Sequence, residues 1–153
     1  QTARVMHVGI ESEAGHHPDY WTVDTPLKLT FRIFNYRPDL PLYFNFHLYN
    51  QEGVCIFNTA SERRTQGYGL VEAVCRIPGR LLNDNTYTVT FMANYRGTTG
   101  IMMEDALVFD IHDVGREGLD DYGKWIGATR PKLDWAVRAV GGALPERSVL
   151  PHD

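Results

Sequence analysis

The stretch from Leu42 to Asn50, Leu-Tyr-Phe-Asn-Phe-His-Leu-Tyr-Asn, constrains the fold of this chain more than any other. In a strand successive side chains point to opposite faces. Leu42, Phe44, Phe46 and Leu48 then make one face wholly apolar, and Tyr43, Asn45, His47 and Tyr49 make the other amphipathic. One face packs; the other is covered by a second layer, a loop or a subunit, or is used to bind, because exposed aromatic patches mark interaction sites.

The same alternation recurs. Leu27, Leu29, Phe31 and Ile33 alternate with Lys28, Thr30, Arg32 and Phe34, and Thr86 to Arg96 places Tyr87, Val89, Phe91 and Ala93 opposite Thr88, Thr90, Met92 and Asn94. Ala3 to Ser12, Val54 to Thr59, Leu70 to Ile77 and Ile101 to Ile111 read as further strands. Asn50 to Gly53, Pro78-Gly79, Leu81 to Asn85 and Gly97 to Gly100 read as turns. At least seven strands with almost no helical periodicity predict an all-β antiparallel sandwich, with a jelly roll as the alternative arrangement. Gly118 to Trp135 differs: two tryptophans, three glycines and a proline fit an extended, docked arm better than a helix. The expected organisation is a sandwich with its arm over residues 1–135, then a short helix at Asp134 to Val140 and a mobile tail to residue 153.

At 153 residues the chain is long enough for one domain with a core that needs no disulfide staples. A formal net charge of -4 and the lack of a basic stripe argue against nucleic acid or an anionic membrane as the main partner. No apolar run reaches the roughly 18 residues of a membrane span. Cys55 and Cys75 have no metal-ligand spacing and are expected as free thiols, a cross-strand disulfide being the alternative in a secreted domain.

The motifs for chemistry are sparse. His16-His17-Pro18-Asp19 has no third ligand spaced to join it and reads as a surface loop rather than a metal or acid/base cluster. Glu11, Glu13, Glu104 and Asp105 are the carboxylates from which a glycosidase pair could be drawn, though nothing in the sequence makes any two of them partners. There is no nucleophile elbow, and Gly123-Lys124 lacks the flanking residues of a phosphate-binding loop. No cofactor is expected. What remains is a surface: Tyr43, Asn45, His47 and Tyr49, with Thr90, Met92 and Asn94 beside them if the two strands share a sheet. Sugars suit that mixture, since an aromatic ring stacks on the C–H face of a pyranose while amides, imidazole and hydroxyls satisfy its hydroxyl groups. Arg32, Phe34 and Tyr36 form a second, smaller patch.

The run Phe44-Asn45-Phe46-His47-Leu48-Tyr49-Asn50-Gln51-Glu52-Gly53 continuing to Phe57-Asn58-Thr59, with Gly123-Lys124-Trp125-Ile126-Gly127 and Arg130-Pro131-Lys132-Leu133-Asp134-Trp135 late in the chain, resembles the C-terminal domains of the Wzt family. These belong to the ATP-binding subunits of ABC transporters that export O-antigen polysaccharide. The resemblance covers about residues 3 to 135. It implies an immunoglobulin-like sandwich that binds the exported glycan without altering it and forms a homodimer by exchange of C-terminal strands. It further implies a cytoplasmic location, held at the inner membrane by the transporter's membrane subunit in the full-length protein. The family's nucleotide-binding half is not in this chain, so ATP hydrolysis is not expected of it. A purely structural dimerisation sandwich, whose tyrosine face a partner buries, and a small glycan-processing enzyme are the competing readings.

Overall fold

The computed structural model describes residues 2–15, 18–39, 41–62, 64–65, 68–96, 98–114 and 125–142. Nine strands are present among them: β1 (Ala3–Ser12), β2 (Trp21–Thr22), β3 (Leu27–Asn35), β4 (Pro41–Tyr49), β5 (Cys55–Ala60), β6 (Arg64–Thr65), β7 (Gly69–Ile77), β8 (Asn85–Tyr95) and β9 (Thr98–His112). They form two sheets, one in the order β1-β3-β7 and one in the order β2-β9-β8-β4-β5, with β6 also pairing β4. Every pair is antiparallel except the short β2, which lies parallel to the end of β9. The expected all-β sandwich is the observed fold, and no helix occurs among the described residues.

Alternation explains which face each strand buries. In β3, Leu27, Leu29, Phe31 and Ile33 are at most 2% exposed, and in β4 Leu42, Phe44, Phe46 and Leu48 point the same way, into the space between the sheets. Each such side chain contributes about 1.5–3 kcal/mol on burial. The two layers meet through an aromatic seam: Phe31 of the smaller sheet stacks on Phe91 of the larger at 4.4 Å and touches Phe46 at 5.7 Å. On one side β1 approaches β9. On the other, between the sheet-edge strands β5 and β7, an apolar slot of about 170 Å³ reaches the seam past Thr59, Ser61 and Ala73.

The connections follow the turn chemistry. Gly53 has φ 81° and donates its N–H to Asn50 O, and Asn50 Oδ1 takes the N–H of Val54, which fixes the β4–β5 register. The β8–β9 hairpin is tighter than expected: β9 begins at Thr98, with Arg96 in the left-handed region at φ 49°. Cys55 and Cys75 are free thiols on different sheets. Desolvation pushes the half-buried Cys75 thiol up.

The base of the C-terminal arm is fixed to its own sandwich. Asn83, 1% exposed, donates to the carbonyls of Trp125 (2.6 Å) and Gly127 (2.7 Å), and its own carbonyl accepts from the Tyr87 hydroxyl at 2.8 Å. Arg130 N–H donates to Leu81 O, its guanidinium lies 3.6 Å above the Trp125 ring, and it forms an ion pair with Asp113 in which both side chains are buried. Burial lowers the pKa of Arg130, and the Asp24 carboxylate opposes that shift. Beyond Arg130 the chain runs to residue 142 without regular structure, so Asp134 to Val140 is not the short helix expected. Gly141-Gly142 closes the stretch, seven residues are too short for a helix to stand alone, and its side chains are exposed, so no packing compensates. Residues 118–124 of the arm and 143–153 of the tail lie outside the described residues.

Candidate functional site

The amphipathic face of β4 is the outer face of the larger sheet. Tyr43, Asn45, His47 and Tyr49 are each half-buried. They stand opposite Asn94, Met92, Thr90 and Thr88 of β8 in register, so the expected juxtaposition of the two strands is present. A depression of about 500 Å³ opens on this face, lined by His47, Tyr49, Thr88, Thr90, Glu104 and Asp105, with Met92 and Met102 also at its wall.

The polar groups form a lateral chain across three strands, β8, β4 and β5. Asn94 Nδ2 donates to Asn45 Oδ1 at 2.6 Å, and Asn45 Nδ2 donates to Asn58 Oδ1 at 3.0 Å, with the Met92 sulfur 3.8 Å away. His47 Nδ1 lies 3.1 Å from the Tyr49 hydroxyl, the two rings meeting edge to face. The amide chain orients Asn45 and Asn58 and leaves each with hydrogen-bonding capacity, since an amide offers two donors and an acceptor with two lone pairs.

Met92 and Asn94 differ from expectation. They are 6% and 5% exposed, because β8 is central and long neighbours flank each: Asn45 and Met102 beside Met92, Tyr43 and Thr99 beside Asn94. They form the floor of the site and hold the residues above it. Thr90 remains half-buried on the surface. Asn58, Met102, Glu104 and Asp105 join the site without having been read as part of it. Asn58 follows from the Asn50 to Gly53 turn, whose register sets it against His47. The doubled Met102-Met103 and Glu104-Asp105 break the alternation of β9 and are the sequence signal for a bulge there.

The carboxylates do not assemble into a glycosidase pair. Glu11 pairs with Lys28 at 2.7 Å and Glu13 with Arg76 at 3.2 Å, both at the smaller sheet, while Glu104 and Asp105 are neighbours on β9 in the larger. Among the described residues no group of three or more His, Cys, Asp or Glu is placed to hold a metal; His16 and His17 lie outside the described residues. No helix among the described residues is long and apolar enough to cross a membrane. Phe34 and Tyr36 sit on the smaller sheet's side with Tyr68, ring centroids 4.9 to 6.3 Å apart, next to the Arg32–Glu72 ion pair.

No family model and no curated protein matches the sequence. Among solved structures, a Parabacteroides merdae β-glucuronidase (16% identity, TM-score 0.47) and a Dictyoglomus thermophilum β-D-mannosidase (14% identity, TM-score 0.49) match. The chain spans 14% of the length of each and 72% and 74% of its own. The crystal structure of the C-terminal domain of Wzt superposes with a TM-score of 0.73 at 12% identity, over 90% of this chain and 84% of that one. The chain resembles the C-terminal domain of Wzt and has its fold.

Proposed function

We propose that this domain binds a bacterial polysaccharide on the outer face of the larger sheet and leaves it chemically unchanged. The observation that carries the reading is the half-buried row Tyr43, Asn45, His47 and Tyr49, laid over a floor of Met92 and Asn94 with Thr90 beside it. Six residues of extended chain separate the two tyrosines by roughly 20 Å, so one monosaccharide cannot touch both and an oligosaccharide can. The face is shallow, and each sugar keeps part of its surface in water. Single-chain dissociation constants in roughly the micromolar to millimolar range follow. Likeness to the Wzt domain in fold supports O-antigen as the polymer, with the domain working in the cytoplasm beside a transporter's membrane subunit.

The same reading includes a homodimer. Leu133, Trp135 and Val137 alternate along the chain beyond Arg130 and are 67%, 87% and 89% exposed. An extended segment with apolar residues at every second position suits addition to a sheet edge, and two copies raise the apparent affinity for a long polymer. Removing residues 131–153 leaves the buried Arg130–Asp113 pair in place and should give a folded monomer by light scattering; a truncated domain that stays dimeric removes the arm from the interface.

A polysaccharide array against the isolated domain tests the function itself. Retention without turnover, abolished in a Tyr43→Ala/Tyr49→Ala variant of unchanged melting temperature, is the expected result. New reducing ends would make the domain an enzyme, and silence across the array would make it a structural sandwich.

A further inference from the structure

The depression beside His47 and Tyr49 is bounded on its far side by an irregularity in β9. Val89 pairs with Leu107 and Phe91 with Met103, so Glu104, Asp105 and Ala106 stand opposite the single Thr90. Two extra residues are accommodated there, with Asp105 at φ 50°. Bulges re-aim side chains. This one brings two adjacent carboxylates to the wall of the depression, both exposed and neither hydrogen-bonded nor ion-paired among the described residues.

The charge around them is one-sided. Strands β4, β5, β8 and β9 contain no lysine or arginine, and a third carboxylate, Asp110, accepts a hydrogen bond from Thr86 on the same pair of strands at 2.6 Å. The opposite sheet is built differently: Lys28, Arg32 and Arg76 each face a glutamate across neighbouring strands or loops. Among the described residues, the wall of the depression therefore has hydrogen-bond acceptors of full negative charge and no lysine or arginine to receive an anionic ligand.

Resting on the reading of this face as a glycan site, we propose that Glu104 and Asp105 select the glycan by charge. The site takes a polymer of neutral sugars, whose hydroxyls donate to the two carboxylates in charge-assisted hydrogen bonds, and turns away chains bearing uronates, phosphates or other anionic groups. Like charges a few ångströms apart in a water-like dielectric weaken binding by about threefold each, so the two together give up to about tenfold discrimination at low salt.

The probes are a neutral polysaccharide retained on the array and the same polymer with its primary hydroxyls oxidised to carboxylates. Wild type should bind the oxidised polymer about tenfold more weakly at about 20 mM salt, and the gap should close towards twofold at about 500 mM. A Glu104→Gln/Asp105→Asn variant should close it at low salt too. Glutamine preserves the shape of the side chain, and asparagine tolerates the left-handed backbone at position 105. Equal binding of both polymers by wild type, or a gap that survives the double variant, overturns charge selection while leaving the glycan site standing. If neither polymer binds in a Tyr43- and Tyr49-dependent way, the site itself fails and charge selection falls with it.

Discussion

Two polar networks are set into this apolar sandwich, and they are finished to different degrees. At the end where the arm leaves, Asn83, Tyr87, Asp84, Asp113 and Arg130 bond to one another and to backbone carbonyls, and Asn83, Asp113 and Arg130 are almost wholly buried. On the outer face of the larger sheet, Asn45, Asn58, Asn94, His47 and Tyr49 are bonded sideways, but the row along β4 stays half in solvent. A buried polar group without a partner is costly, so the first network draws its partners from the chain itself, although the buried Arg130 Nε finds no hydrogen-bond acceptor among the described residues. The second has water available and can exchange it for a ligand. The contrast separates a joint from the proposed binding surface.

Breaking the joint should have the largest effect. Arg130→Met leaves Asp113 buried without its cation and removes the stack on Trp125, and should cost about 3–5 kcal/mol in urea unfolding. Adding Asp113→Leu should recover much of that loss, because the pair as a whole is worth less than either member left alone. If Arg130→Met changes stability by less than about 1 kcal/mol, the arm is not fixed by this pair.

Alkali should attack the same joint. Burial, reinforced by the charges of Asp84 and Glu52, pushes the Tyr87 phenol up to about 12. Its folded-state pKa lies above the ordinary value of about 10, so the neutral phenol's contribution is fully present below that pH and is lost as pH rises through the folded value. The loss is on the order of 2–3 kcal/mol for the two-unit difference. Absorbance titration should show Tyr87 ionising only together with unfolding. Tyr87→Phe should flatten that part of the stability profile, and an unchanged profile would show that another group sets it.

The open network gives a smaller and mixed response. Asn45 reads in the sequence as a candidate ligand contact, and its carbonyl oxygen takes the amide proton of the buried Asn94. Asn45→Ala should therefore cost about 1–3 kcal/mol in stability as well as weakening binding. Calorimetric titration alone would credit the whole loss to the glycan. A variant as stable as wild type would mean that Asn94 finds another acceptor.

Asn45 also shows where reading the chain reaches its limit. Strict alternation placed β3, β4 and β8 and the direction each faces, because a period of two leaves no choice once one face must be buried. It assigned Met92 and Asn94 to the correct face, yet exposure depends on which strands flank β8, and pairing order is not written in one strand's pattern. The bulge at Glu104 and Asp105 was visible only as a broken alternation whose geometry needs the partner strand. In the arm, Trp125 and Trp135 look alike in sequence, but Trp125 lies against Arg130 whereas Trp135 is 87% exposed.

The smallest expected effect is the most discriminating for the open face. Tyr49 offers a ligand a ring and a hydroxyl, and the hydroxyl is already 3.1 Å from His47 Nδ1. If the ring is the platform for a sugar, Tyr49→Phe keeps the stacking surface and should change affinity by about twofold or less, whereas Tyr49→Ala should cost about 1 kcal/mol or roughly fivefold. If the hydroxyl is the contact, the two variants should lose affinity equally, since a neutral hydrogen bond is worth about as much as the stack. Neither should move the melting temperature far, because Tyr49 is half-buried and lies outside the core. Titration of both variants with the same polysaccharide thus separates a face that reads apolar sugar surface from one that reads hydroxyls. Equal, near-wild-type affinity in both would move the binding site off this end of β4.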